Sequence, residues 1–367
     1  MCFKISSCCA SADLDDEIDE SDCGECLQQR EFIEEIAHFC SSPKSKGKDD
    51  DDDDDRNANA NSKRKTCVFF SLNAQLLRGI FKGQGGPPGY LLLRAACLAN
   101  RLASVEEFVD AIALQECFDR KSTALLIRKL SAYFPHVVQG PSKSGLVILS
   151  KLRVKHSVFH EFKCSTGGER LFFNKGILGV ALSNLDEDTT VCMFNAHLQS
   201  DFWRKSRDTR EAQAKEMKAF VGKTMRSSAF VGSSNATIDV AVMCGDLNCI
   251  AGSAEYEKIM ETLGGDTGAF RDTLPIDNDN DSLSTFPECT YSLKKRRYVI
   301  VNENTQKNRL DYIFEISREI NDDDDDDEGE RRRRTTKARV VRSLRDDNSA
   351  PLTDHRGIIA AIERVHV

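Results

Sequence analysis

Val242-Met243-Cys244-Gly245-Asp246-Leu247-Asn248 runs an apolar, strand-like segment straight into an acid and an amide. Polar side chains are disfavoured in apolar strands unless they are paired or put to use. The same ending recurs along the chain. Phe69-Phe70-Ser71-Leu72-Asn73 stops on an amide, Ala111-Ile112-Ala113-Leu114-Gln115-Glu116 on a carboxylate, and Cys192-Met193-Phe194-Asn195-Ala196-His197 on an imidazole. Asn308-Arg309-Leu310-Asp311-Tyr312-Ile313 sets an acid inside a strand-like segment, and Thr353-Asp354-His355-Arg356-Gly357 precedes the last such segment. Singly, each reads equally well as a turn or a cap, and Gly-Asp-Leu-Asn is a good turn sequence. Together they are six strand-associated polar groups spread over one domain, placed to converge on one rim.

Around these segments the pattern predicts strands over Cys67–Leu72, Asp110–Leu114, Gly145–Ser150, Gly176–Ser183, Thr190–His197, Ile238–Cys244, Arg309–Phe314 and Gly357–Ile362. Helical spacing predicts helices over Gly89–Ser104, Ser122–Ala132, Lys205–Lys223 and Ala254–Leu263. Strands outnumber helices, with helices between some of them, which favours an α/β or α+β sandwich over an all-β barrel. Residues 1–65 are acidic and polar and read as a tail, with a short helix around Gln28–Phe39. Residues 66–367 read as one domain carrying a charged loop insertion at 321–337.

The formal charge of −8 conceals a basic remainder. Asp49 to Asp55 and Asp322 to Asp327 hold 13 negative charges between them, and without those the balance moves from −8 to +5. That suits an anionic substrate or a phospholipid surface but falls short of the dense basic patch of a dedicated nucleic-acid binder. No apolar run approaches the roughly 18–20 residues that cross a bilayer, and the N-terminus lacks the apolar core of a signal peptide. The expectation is therefore an intracellular, cytoplasmic protein, peripheral where it meets membranes, whose 14 cysteines are mostly reduced. Cys23, Cys26, His38 and Cys40 offer four zinc ligands, although His-x-Cys lacks the usual spacing.

The ordered set resembles the endonuclease/exonuclease/phosphatase superfamily, the deoxyribonuclease I-like fold, from about Cys67 to Ile362. The Asn, Gln-Glu, Asn-x-His, Gly-Asp-x-Asn, Leu-Asp-Tyr and Asp-His elements stand in the family's order. The resemblance implies a four-layered α-β-β-α sandwich of two mixed β-sheets with the site at one end. It also implies metal-assisted phosphodiester hydrolysis, for which Mg²⁺ wants hard oxygen ligands (Mn²⁺ or Co²⁺ being substitutes). Glu116 is the best metal ligand, with Asn73 completing or orienting its shell and Asp354 binding a second metal or bracing the site. His355 fits a general base oriented by Asp311, and His197 would bind phosphate oxygen and serve as the acid. Asp246 and Asn248 would position the attacking water and a phosphate oxygen, and whether Asp246 or His355 takes the proton stays open.

Within that superfamily the middle of the chain is similar to neutral sphingomyelinases. The stretches that carry this are Ala113–Asp119, Ser144–Ser150, Asn174-Lys175-Gly176-Ile177-Leu178, Asn195–Gln199 and Arg210–Glu216. The Lys175-Gly176 element is the most telling, and Lys175, Asn195 and Asn248 are the expected substrate contacts. The implied reaction is sphingomyelin to ceramide and phosphocholine at a membrane surface. Animal members carry hydrophobic membrane segments and this chain has none, so access would fall to another device. Acylated Cys2, Cys8 or Cys9 and a lipid-dipping Phe202-Trp203 pair are the sequence's offers, against plain surface thiols and a packed loop. The alternative activity is a nuclease of the same fold, a DNA-repair endonuclease or RNA deadenylase, with nearly the same catalytic residues.

Overall fold

The computed structural model describes residues 24–41, 66–77, 88–167, 169–183, 189–201, 205–231, 237–264, 269–274, 284–287, 289–292, 297–300, 308–317, 336–342, 344–345 and 351–364. The poly-Asp runs, residues 321–335, Cys2, Cys8, Cys9, Cys23 and the Phe202-Trp203 pair lie outside them.

Strand β1 (Thr66–Asn73) pairs in parallel with β2 (Ala111–Gln115) and antiparallel with β14 (Ile358–Glu363). With β3 (His136–Gln139), β4 (Val147–Ser150) and β13 (Thr336–Val340) they form a six-stranded sheet in the order β13-β14-β1-β2-β4-β3. A second six-stranded sheet runs β5-β6-β7-β8-β12-β9, from β5 (Val154–Glu161), β6 (Gly176–Ser183), β7 (Thr189–His197), β8 (Thr237–Asp246), β9 (Phe270–Asp272) and β12 (Asp311–Ile316). Both sheets are mixed, since β1 with β2 and β7 with β8 are parallel while their other pairings are antiparallel. A separate two-stranded antiparallel sheet pairs β10 (Cys289–Ser292) with β11 (Arg297–Ile300).

Three apolar layers hold the four structural layers together. Phe69, Ala113, Ile148, Met193, Val242 and Ile313 pack in the core shared by residues of both sheets. Helix α2 (Pro88–Ala103) and α3 (Arg120–Leu130) cover the first sheet through Leu98, Leu102 and Leu126. The one-turn helix α4 (Glu169–Phe172) lies between β5 and β6. Helices α5 (Ser206–Met225) and α7 (Ala254–Leu263), with the one-turn α6 (Ser228–Val231) between them, cover the second sheet through Met217, Val221, Phe230 and Ile259. This is the expected four-layered sandwich, of the α+β kind.

The register brings the polar strand ends together. His197 of β7 lies opposite Asp246 of β8, which lies opposite Asp311 of β12; in the other sheet Asn73 lies opposite Gln115. Strand side chains alternate between faces, so Asn73, His197, Asp246 and Asp311 continue the inner row begun by Phe69, Met193, Val242 and Ile313. Gly245 makes the close pairing feasible, because a Cβ there would sit 2.1 Å from Ala196 O.

Helix α1 (Gly24–Ser41) lies inside the stretch read as a tail. Its Phe32, Ile36 and Phe39 join the core cluster of the first sheet. Glu31 and Glu35 meet Arg342 and Arg339 at 2.7 and 3.4 Å. The folded unit thus begins before residue 66. Strands β3, β5, β9, β10, β11 and β13 were not expected, and the segment read as a strand from Gly145 begins at Val147, because Gly145 turns at φ +70°.

Candidate active site

His355 is the most constrained side chain at the rim. Its Nδ1 meets Asp311 Oδ2 at 2.8 Å, its ring faces Phe286 at 4.8 Å, and its Nε2 lies 3.8 Å from carboxylate oxygens of both Asp246 and Asp354. Burial alone would lower its pKa, but the charge and hydrogen bond of Asp311, then Asp354 and Asp246, hold it well above the usual histidine range. Asp311 is itself placed by β12, and Thr285 Oγ1 accepts from its backbone N–H at 3.3 Å.

Asn73 stands between carboxylates. Its Nδ2 donates to Asp246 Oδ2 at 3.0 Å, its side chain also bonds Glu116, and its Oδ1 accepts from Gln75 N at 3.0 Å. It therefore orients the acids rather than crowding them. Asp246 Oδ1 accepts from Asn248 N at 2.8 Å, and Asn248 Nδ2 donates to Leu198 O at 3.2 Å. Burial first, and then the charge of Asp354, push the Glu116 carboxyl up to about 7. Burial also raises Asp354, only partly opposed by His355 and Arg94.

The donor set fits a divalent cation. Ligand atoms of Glu116, His197 and Asp246 lie within 4.8 Å of one another, as do those of Asp246, Asp311 and His355. Asp354 Oδ1 is buried with no hydrogen-bond partner, while its Oδ2 accepts from Gln75 Nε2. Crowded, desolvated carboxylates and an orphaned oxygen make the hard anionic cradle that Mg²⁺ takes. Glu116, Asp246 and Asp354 would hold it.

Two expected substrate contacts have other work. Lys175 Nζ meets His197 Nε2 at 3.1 Å, Leu198 O at 2.5 Å and Glu169 Oε1 at 2.7 Å. An ammonium has three donors, so these neighbours use them all and Lys175 acts by holding His197. Asn195 is buried between the sheets. Its amide donates to Leu114 O at 2.9 Å and Val147 O at 3.0 Å, and its oxygen accepts from Gln115 at 2.8 Å. Its hydrogen-bonding capacity goes to joining the two sheets, not to a substrate.

His197 is also corrected as an acid. An ammonium has no lone pair, so Nε2 must accept from Lys175 and the ring proton sits on Nδ1, which is buried without a partner. Burial, then the Lys175 charge, push its pKa down to about 3. It stands as a neutral ring whose Nε2 lies 3.7 Å from Asp246 Oδ2 and 3.9 Å from Glu116 Oε1.

Three supporting residues escaped the sequence reading. Gln75 holds Asp354 and accepts the strain of φ +46°, beside Glu116 at +55° and Asn248 at +51°. Glu169 anchors Lys175 and accepts from Gln199 Nε2. Arg94, 1% exposed on α2, donates to Leu352 O at 2.6 Å, Gln75 O at 3.1 Å and Ala74 O at 3.0 Å. It clasps the two loops that carry Gln75 and Asp354. Only Arg94 left a signal, a cation on the face that Leu91, Ala95 and Leu98 make apolar.

The model of the endonuclease/exonuclease/phosphatase family matches residues 59–314. An uncharacterized protein of Dictyostelium discoideum is 28% identical over 182 residues, which cover 44% of this chain and 16% of that protein. The chain thus spans a small part of the length of this curated relative. Among solved structures, SmcL superposes with a TM-score of 0.59 at 21% identity, covering 81% of this chain and 99% of its own. Sphingomyelinase C from Streptomyces griseocarneus gives 0.53 at 18% identity, covering 81% and 99%. Truncated Caenorhabditis elegans TDP2 gives 0.52 at 18% identity, covering 82% and 98%. At such identities the likeness is one of fold.

Proposed function

The chain belongs to the endonuclease/exonuclease/phosphatase family of divalent-metal-dependent hydrolases, and from that we propose a Mg²⁺-dependent phosphodiesterase that cleaves sphingomyelin or a related choline phospholipid to ceramide, or its equivalent, and phosphocholine. The observation that carries the lipid reading is Lys175. It belongs to the sequence element most similar to neutral sphingomyelinases, and its Nζ lies 3.1 Å from His197 Nε2, at the site itself. The fold likeness to a sphingomyelinase C supports the same substrate class.

A bound cation would neutralise the phosphate and stabilise the departing oxygen. With the charges of Asp246 and Asp354 taken up by that cation, two of the acids that hold His355 protonated would be neutralised. Its Nε2 would then take the proton of the attacking water while Asp311 keeps the other ring proton on Nδ1 and stabilises the imidazolium. Asp246 faces that Nε2 and fixes Asn248, so the two position the water and a phosphate oxygen. His197, kept neutral by burial and by Lys175, lines the place of the phosphate, its Nε2 standing 3.7 Å from Asp246 and 3.9 Å from Glu116. No described helix is long and apolar enough to cross a membrane.

The test is phosphocholine release from sphingomyelin–detergent micelles with Mg²⁺ and with EDTA, for wild type and His355→Ala, beside DNA and RNA cleavage. Metal-dependent release abolished in the variant supports the reading. Metal-dependent cleavage of nucleic acid without phosphocholine release would replace the substrate and leave the site's assignments standing.

A further inference from the structure

Between β5 and β6 two adjacent apolar side chains are turned out to solvent, Leu171 at 75% and Phe172 at 47% exposure. Scattered single apolar residues on a surface need no explanation. This pair is not isolated. The Phe172 ring lies 6.4 Å from that of Phe173, and Phe173 lies 4.4 Å from Phe118. A row of rings therefore leads from the exposed Phe172 inward to Phe118, two residues after Glu116 in the chain.

The turn that presents the pair is anchored. Glu169 is buried and ion-paired to Lys175 at 2.7 Å, and its carbonyl accepts from Phe173 N at 2.8 Å. Asn174 N donates to Lys143 O at 2.9 Å. Leu171 and Phe172 are thus held outward between residues fixed to the site. Exposed Arg170 and Lys143 accompany them. Apolar side chains flanked by cations match a surface with phosphates above hydrocarbon.

We propose that the Leu171-Phe172 turn is a docking element that enters a phospholipid surface and sets the mouth of the site against it. The partner is the lipid surface itself, and this rests on the phospholipid reading given above. Arg170 and Lys143 meet lipid phosphates while the apolar pair passes beneath them.

The test uses the full chain and vesicles of phosphatidylcholine and sphingomyelin, floated in EDTA so that turnover is stopped. Leu171→Asn/Phe172→Asn should weaken vesicle partitioning by about tenfold or more, given the apolar area withdrawn. Its melting temperature and its hydrolysis of water-soluble p-nitrophenylphosphocholine with Mg²⁺ should stay within about twofold of wild type, as both side chains are exposed. Equal flotation of the variant and wild type overturns the proposal, and so does a wild type that does not float. A self-association that the double substitution abolishes, without vesicle binding, would assign the pair to a second copy and also overturn it. Flotation that depends on the pair, from a wild type that cleaves no choline phosphodiester, keeps the docking element and sinks the substrate.

Discussion

His355 Nδ1 is bonded to Asp311 at 2.8 Å, while its Nε2 faces two further acids, Asp246 and Asp354, each at 3.8 Å. One nitrogen is committed and the other is turned to the reacting side. General acid–base groups contribute roughly 10²–10⁴-fold to rate. His355→Ala should lose that much kcat with a smaller change in KM, and Asp311→Asn should lose a comparable part by releasing the tautomer. Steady-state kinetics on the micelle substrate measure both, and a His355→Ala enzyme within threefold of wild type would remove the proposed base.

Cation binding should follow the protonation of Glu116. Burial and Asp354 bring that carboxyl up to about 7, so below this pH the cation must displace a proton. Mg²⁺ affinity should therefore strengthen by up to about tenfold per pH unit towards pH 7 and level off above it. Calorimetric titrations at several pH values read this directly. An affinity flat from pH 5.5 to 8 would exclude Glu116 as the ligand that governs binding.

Lys175→Met should act through His197. Removing the ammonium leaves buried Glu169 without its cation, a loss of about 3–5 kcal/mol in the usual range for broken buried pairs. The His197 pKa should rise, because the neighbouring charge that lowers it is gone. Urea unfolding measures the first effect and imidazole NMR titration the second. An unchanged His197 titration would separate Lys175 from that ring.

Arg94→Lys should keep the charge and lose the fork that spans Leu352, Gln75 and Ala74. Stability should fall by about 1–3 kcal/mol, the cost of a buried acceptor left unmet. Mg²⁺ affinity should weaken with it, since Asp354 is held through Gln75. A variant that loses stability but binds Mg²⁺ as wild type does would make Arg94 purely structural.

The strands that carry the site were legible because they are buried and end in residues their apolar texture does not explain. Helix α7 was legible throughout, Ala254–Leu263, from its apolar spacing. Strands β5 and β13 were not, because Val154–Glu161 and Thr336–Val340 lie at sheet edges and carry lysine, histidine and arginine, which edge strands use against further pairing. Parity puts Asn195 on the same face as His197 but cannot say that it lies one step deeper between the sheets. Nor does any spacing tell that Lys175 is saturated by three neighbours, which is a property of distances alone.

Asn195 has a mechanical consequence. Asn73 and Glu116 belong to one sheet, and His197, Asp246 and Asp311 to the other. Apolar packing between sheets carries no directional bonds and by itself lets them slide. The amide of Asn195 reaches from β7 to Leu114, Gln115 and Val147 like a dowel between two planks. The smallest alternative seating would shift a strand by two residues, about 7 Å, and would dismantle the site altogether. The two halves of the proposed site are thus kept in alignment by a residue whose bonds run between the sheets.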